Sequence, residues 1–346
     1  MLNTLTSLRF FFAFFVFLSH LAFITSDNVI YTWLQRNIFS EGYIGVSFFF
    51  ILSGFVLSYS NQKKFIAKDF NRKNFYLARV FRIYPLHLLT FLAALLFSLY
   101  AGLDLGINKV LANLFLVQSF IPDMAFLNIL NGPSWSISNE MFFYACFPFL
   151  FLAILKNKKA FLIAFIIISL LFVVSVPYVD QNVSKLVYYF NPFTRILDFT
   201  LGIILFYIYN NLKTKTISPK TGTVLEFVSL LIFVLFFVSH NLINKTYRYS
   251  LYYWIPMASI ILIFALQKGY LSKILKNKYL VYLGEISFAF YMIHLLLIQL
   301  YQYCNLPVHY IFTPSILLIV TTTLSALIFE YFEKPVNRYL KHKFIK

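Results

Sequence analysis

The sequence is poor in charge, poorer in acid and nearly without cysteine. Only 12% of its 346 residues are charged, against 60% hydrophobic. That excludes a soluble domain of this size, which would lack the polar surface to cover itself. Its two cysteines, Cys146 and Cys304, lie far apart in or beside different apolar runs. They form neither a disulfide framework nor a metal site. The apolar runs lack the strict alternation of a membrane β-barrel, which excludes that class. Low-complexity tracts and interdomain linkers are missing too, so 1–346 reads as a single transmembrane domain. The first apolar segment lacks a small-x-small cleavage site and reads as a retained signal anchor.

What is present is a series of apolar runs near the ~20 residues that cross a bilayer. They lie at 6–25, 42–60, 84–101, 135–155, 160–177, 192–210, 223–240, 251–267, 280–302 and 314–333. The segment 109–121 is apolar but shorter and is ended by Pro122, as in a re-entrant or interfacial piece. The fold class is therefore an all-α polytopic membrane protein of about ten helices. A loop with Asp27, Arg36 and Glu41 follows the first span. The net charge of +17 does not point to nucleic acid, because the basic residues cluster between apolar runs. Of the 29 Lys and Arg, 22 fall in 61–83, 156–159, 211–222, 268–279 and 334–346, and five in the opposite loops. The positive-inside rule puts those loops and both termini in the cytoplasm of a multi-pass plasma-membrane protein.

Arg9 and His20 interrupt the first span, eleven positions apart on nearly one helix face, roughly 16 Å apart in depth. Ionisable groups at membrane depth usually face the interior and mark a functional path. His titrates near neutral pH and suits a general base. No metal-ligand companions stand one turn from His20, so zinc is not expected. Arg79 and Arg82, before Tyr84-Pro85, pair two guanidinium groups that suit phosphate oxygens; an anionic-lipid anchor is the plainer reading. Ser53-Gly54 offers a close packing point or a local break in the second span. Trp135 and Ser136 stand at the outer interface, as acceptor contacts or an aromatic belt, and Glu140 needs a partner inside its apolar helix. Arg195 and Asp198, three apart, read as an internal ion pair that could also line an entrance. Ser287, Tyr291 and His294 share a helical stripe. Glu330, Glu333 and Lys334 read as a helix-end charge cluster or as active groups.

Taken in order, these stretches resemble the acyltransferase 3 family of integral membrane acyltransferases. Arg9 and His20 match its arginine–ten residues–histidine pattern, and FFFILSGF its FF-x-x-SGF. Arg79, Arg82 and Tyr84-Pro85 match R-x-x-R-x-Y-P, and SWSISNEMFFY matches W-S-hydrophobic-x-x-E-x-x-F-Y. LGEISFAFYMIH and FEKP match the two closing motifs. Asn139 and Phe288 depart mildly from the pattern, and neither removes a candidate reactive group. The chain ends eleven residues after Pro335, which resembles the stand-alone members without a fused esterase-like domain.

The resemblance implies O-acetyl transfer from cytoplasmic acetyl-CoA to a hydroxyl of a surface glycan, such as O-antigen, capsule or exopolysaccharide, possibly lipid-linked. It implies a bacterial inner membrane and no metal or nucleic-acid partner. His20 becomes the base, with Arg9 stabilising charge or holding the donor and Glu140 or Glu333 orienting the imidazole. Arg79, Arg82, Tyr84 and Ser53 fall to the donor, and Trp135, Ser136, Arg195 and His294 to the acceptor. A transporter of an acyl donor, lipid or small anion is the alternative, with a non-catalytic membrane subunit behind it. Against transport stands the lack of motif symmetry between the halves of the chain.

Overall fold

A computed structural model describes residues 2–24, 28–306 and 308–345. The expected loop residue Asp27 and the end of the first span at Thr25 lie outside the described residues. Among the described residues the chain is mostly helical and contains no strand. The elements used below are α1 (Asn3–Ser19), α2 (Gly45–Ile66), α3 (Arg72–Tyr100), α4 (Ile107–Leu114) and α5 (Ser134–Lys156). They continue with α6 (Lys158–Ser175), α7 (Pro192–Leu212), α8 (Pro219–Val238) and α9 (Trp254–Leu266). The last four are α10 (Tyr270–Leu275), α11 (Lys278–Cys304), α12 (Thr313–Ile328) and α13 (Lys334–Phe344).

Nine helices among the described residues are long and apolar enough to cross a bilayer, and Leu251–Leu266 is a shorter apolar helix. Together they account for the ten runs of the sequence. The segment 109–121 does not form a crossing. α4 has eight residues, about 12 Å of rise, and Leu116 follows it with φ +55°, outside any helix.

The structure moves one boundary. The basic stretch expected as a loop is helical from Arg72, so Arg79, Arg82 and Tyr84 lie within α3 and Pro85 lies inside it. Pro85 has no N–H to give to the preceding turn and locally weakens the ladder. The Arg-, Ala- and Leu-containing residues before it favour helix and carry the element through.

The chain forms two compact units. The first comprises Met1–Arg9, Val46–Arg72 and Phe142–Gly284. Its core is aromatic: Phe50 meets Phe143 edge to face, and Phe143 stacks on Phe199. Here α2 and α7 cross at two glycines. A Cβ on Gly54 would lie 2.0 Å from the Phe199 carbonyl oxygen, and one on Gly202 would lie 1.9 Å from that of Ile51. Only hydrogen at these Cα positions permits that approach, so Ser53-Gly54 is a packing point.

The second unit comprises Phe10–Gly45, Lys73–Met141 and Glu285–Lys346. The broken segment after α3 is held in it by polar contacts. The Tyr84 hydroxyl donates to the Leu114 carbonyl (3.0 Å), and His87 Nε2 donates to that of Asn113 (3.0 Å). Ser134 donates to Asn113 Oδ1 and receives Gln118 Nε2, both at 3.1 Å. Ser138 donates to the Leu116 carbonyl (2.6 Å) and bonds Ser119 (2.6 Å). Asn113, Gln118, Ser119, Ser134 and Ser138 are all buried. Irregular backbone at membrane depth survives only where the protein itself supplies such partners.

Candidate active site

The site grows from the C-terminal end of α1. A helix leaves its last carbonyls without intrahelical donors, and here side chains supply them. Ser19 Oγ donates to the Val16 carbonyl at 2.6 Å, and His20 Nδ1 reaches the same oxygen at 3.0 Å. A carbonyl only accepts, so Nδ1 carries the hydrogen in that bond. In the neutral ring the lone pair is then on Nε2, the tautomer a base needs. His20 opens a 3-10 turn, His20–Phe23, and is half-buried.

α11 brings a second histidine to it. The rings of His20 and His294 meet edge to face, with centroids 5.1 Å apart. His294 is fully buried and packs against Phe17 and Phe290. Its Nδ1 donates to the Tyr291 carbonyl at 2.6 Å, and its buried Nε2 has no hydrogen-bond partner among the described residues. A lone pair kept dry without a donor is costly, so this atom is poised to receive one.

The Ser287–Tyr291–His294 stripe continues to α5. The Tyr291 hydroxyl bonds Ser136 Oγ at 2.8 Å, and Ser136 also donates to the Pro133 carbonyl. Asn131 Nδ2 donates to the Met292 carbonyl at 2.9 Å. A Cβ on Gly132 would touch Leu295 at 3.0 Å, which shows how closely this turn approaches α11. His20, His294, Tyr291 and Ser136 therefore form one contiguous line. Trp135, beside Ser136, is buried rather than lying in an exposed aromatic belt. Glu140 is half-buried one helical turn beyond Ser136, and Glu333 is buried at the end of a wide turn, Phe329–Glu333.

Arg79 and Arg82 share a stripe of α3 with Phe75 and Leu86, at spacings of four, three and four. Phe75 and Leu86 are buried, so the arginines are on the protein-facing side of the helix. The adjoining face, Val80, Phe81, Tyr84, Pro85, Leu88, Leu89 and Leu92, lines an open apolar groove of about 440 Å³ with Phe332, Val336 and Leu340, and Pro85 and Leu89 bring its edge to the side of Arg82. Tyr84 is committed through its hydroxyl to Leu114.

In the first unit, Arg9 is half-buried in α1 and Ser53 half-buried in α2. Arg195 is enclosed. Its Nε pairs with Asp198 at 3.0 Å, both side chains being fully buried. Nη2 donates to Ser47 Oγ at 2.9 Å, and Nη1 to the Tyr249 carbonyl. Its guanidinium also lies over the Phe50 and Tyr189 rings. Ser250 (2.7 Å) and the Trp254 indole (2.5 Å) donate to Asp198. With all three nitrogens engaged inside the protein, the internal ion pair is the reading the geometry favours over an acceptor entrance.

Two features had escaped the sequence. The adjacency of His20 and His294 has no local signature, because they belong to the first and eleventh helices. Glu226, buried in α8, accepts the backbone N–H groups of Gly269 (3.1 Å), Leu271 (3.0 Å) and Ser272 (3.2 Å) and the Ser272 hydroxyl. It satisfies the first turn of α10, whose amides have no intrahelical partner. Its signal was a lone carboxylate in an apolar run.

The Acyl_transf_3 model, an acyltransferase domain, matches residues 2–331. Acyltransferase MdmB of Streptomyces mycarofaciens is 33% identical over 322 residues, covering 86% of this chain and 79% of that protein. A putative O-acetyltransferase of Staphylococcus aureus (strain COL) is 25% identical over 344 residues, covering 90% of this chain. The chain spans 55% of that relative's length. A putative acetyltransferase of Acidianus two-tailed virus is 28% identical over 277 residues, covering 77% of this chain and 76% of its own. No solved structure matches.

Proposed function

The chain belongs to the acyltransferase 3 family, and we propose that it is an O-acetyltransferase moving an acetyl group from cytoplasmic acetyl-CoA to a hydroxyl of a cell-surface glycan. The observation that carries this reading is the tautomer of His20. Its Nδ1 is tied to the Val16 carbonyl, so Nε2 is the atom that can take a proton. The O-acetyltransferase name of the staphylococcal relatives supports the acyl group.

In this reaction Arg79 and Arg82 hold donor phosphates at the cytoplasmic mouth, where paired guanidinium forks match phosphate oxygens. The chain has both termini in the cytoplasm of a bacterial inner membrane. His20 Nε2 removes the acceptor hydroxyl proton as the oxygen attacks the thioester carbonyl. A C–O bond forms, the C–S bond breaks, and the proton held on His20 passes to the departing thiolate. Such a base contributes typically 10²–10⁴-fold. The Val16 carbonyl orients the ring, and a carboxylate, Glu140 or Glu333, stabilises the imidazolium through its charge. Ser136, Trp135 and His294 contact the acceptor, and Arg9, on the strength of its motif, stabilises negative charge.

The test is reconstitution. Purified protein in liposomes receives acetyl-labelled acetyl-CoA and surface glycan. Label covalently on the glycan, lost with His20→Ala while the protein still inserts, is the expected result. Label found only as unreacted donor inside the vesicle overturns the assignment, as does full activity of the His20→Ala protein.

A further inference from the structure

The C-terminal helix α13 brings a third cation to the two arginines of α3. Its apolar side, Val336 and Leu340, lines one groove with Val80, Phe81 and Tyr84. The Phe344 ring meets that of Phe81 with centroids 5.7 Å apart. Lys341, one turn before Phe344, is partly buried and within Coulomb reach of both Arg79 and Arg82. The ring contact holds the end of α13 that carries Lys341 at the level of the Arg79–Arg82 turn of α3.

Like charges within Coulomb reach of one another at partly buried positions repel more strongly than at an open surface. The Phe81–Phe344 contact keeps the Lys341 end of α13 beside this part of α3. A polyanion converts the repulsion into attraction. The arginines offer planar forks, and the lysine offers a compact ammonium on a flexible stem. The nucleotide end of coenzyme A carries a diphosphate and a ribose phosphate, more negative charge than two guanidinium groups offset.

We propose that Lys341 is a donor-binding residue, the third cation of a phosphate cluster with Arg79 and Arg82. This rests on the reading that the two arginines dock the donor. Arg79, one turn from the buried Phe75 and Ile83, favours a ligand admitted into the protein over a lipid headgroup outside it.

The experiment measures binding to full-length protein in nanodiscs, without acceptor. The probes are coenzyme A and pantetheine, which lacks the nucleotide phosphates. Lys341→Gln is expected to weaken coenzyme A about tenfold and leave pantetheine unchanged, and Lys341→Arg to restore most of the affinity. If Arg82→Gln weakens coenzyme A and Lys341→Gln does not, the role of Lys341 is refuted and the arginine dock stands. If neither Arg79→Gln nor Arg82→Gln weakens it, the dock falls and Lys341 falls with it. Equal loss of both probes, not rescued by Lys341→Arg, assigns Lys341 to packing and overturns the proposal. Unchanged coenzyme A affinity with loss of co-purifying anionic lipid assigns it to a headgroup and also overturns it.

Discussion

His20 and His294 face each other edge to face at 5.1 Å, each tied through Nδ1 to a carbonyl of its own helical stretch. The two imidazoles are thereby fixed in the same tautomer, with both Nε2 atoms as acceptors. In the proposed reaction, when His20 gains a proton, its neighbour offers an aromatic ring and a buried lone pair rather than a competing charge.

Replacement of His294 by Phe tests that relationship. Phe retains the ring that packs against Phe17 and Phe290 but removes Nε2. We expect inserted, folded protein whose acetyl transfer falls at least about tenfold, within the range of a positioned polar group. Transfer to glycan per molecule of folded protein, measured at saturating acetyl-CoA, checks it. Unchanged turnover reduces His294 to packing.

Arg195→Ala should be strongly destabilising. It leaves the Asp198 carboxylate buried with Ser250 and Trp254 and no cation, a loss of about 3–5 kcal/mol. The apparent unfolding temperature in detergent should drop sharply. Replacing both members by apolar residues of similar volume should recover much of it, because no unpaired charge remains. A single mutant as stable as the parent would refute the structural assignment.

Glu226→Ala removes one acceptor from three backbone amides and a hydroxyl. Buried donors left unsatisfied cost about 1–3 kcal/mol each, so the loss should exceed that of an ordinary side-chain truncation. Gly269→Ala should act at the same place by another route, since its Cβ would lie 2.1 Å from Glu226 Oε2. Hydrogen exchange at 269–275 reports both, and protection equal to wild type would contradict the capping role.

Gly54→Ala and Gly202→Ala each drive a methyl group into a backbone carbonyl of the opposing helix. Backbone yields less readily than side chain, so each should cost at least the ~1–3 kcal/mol typical of overpacking. Combined, they should cost less than their sum, because one separation of α2 from α7 relieves both. Thermal unfolding of the single and double mutants decides this.

The ten apolar segments were legible because length and hydropathy are local properties, and so was the failure of 109–121 to cross. The helical start at Arg72 was not. Charges at 72–82 resemble a loop until the helix sorts them, with Arg79 and Arg82 falling on the stripe of Phe75 and Leu86. The partners of Glu226 were invisible because backbone amides leave no trace in a sequence. His294 was visible as a polar stripe member and His20 as a candidate base, but their adjacency was not, since contacts between distant helices depend on packing. Ser53-Gly54 announced a close approach; only the reciprocal Gly202 shows against what.

The hydrogen-bonded segment after α3 imposes an order on how the protein is made. Its buried polar groups are answered on one side by Tyr84 and His87, which emerge earlier, and on the other by Ser134 and Ser138, which emerge later. Bilayer alone cannot hold such a stretch, since lipid offers no partners. During synthesis it must wait at the membrane–water boundary until α5 arrives. Assembly of this region is therefore a late event, following insertion of the helices on both sides of it.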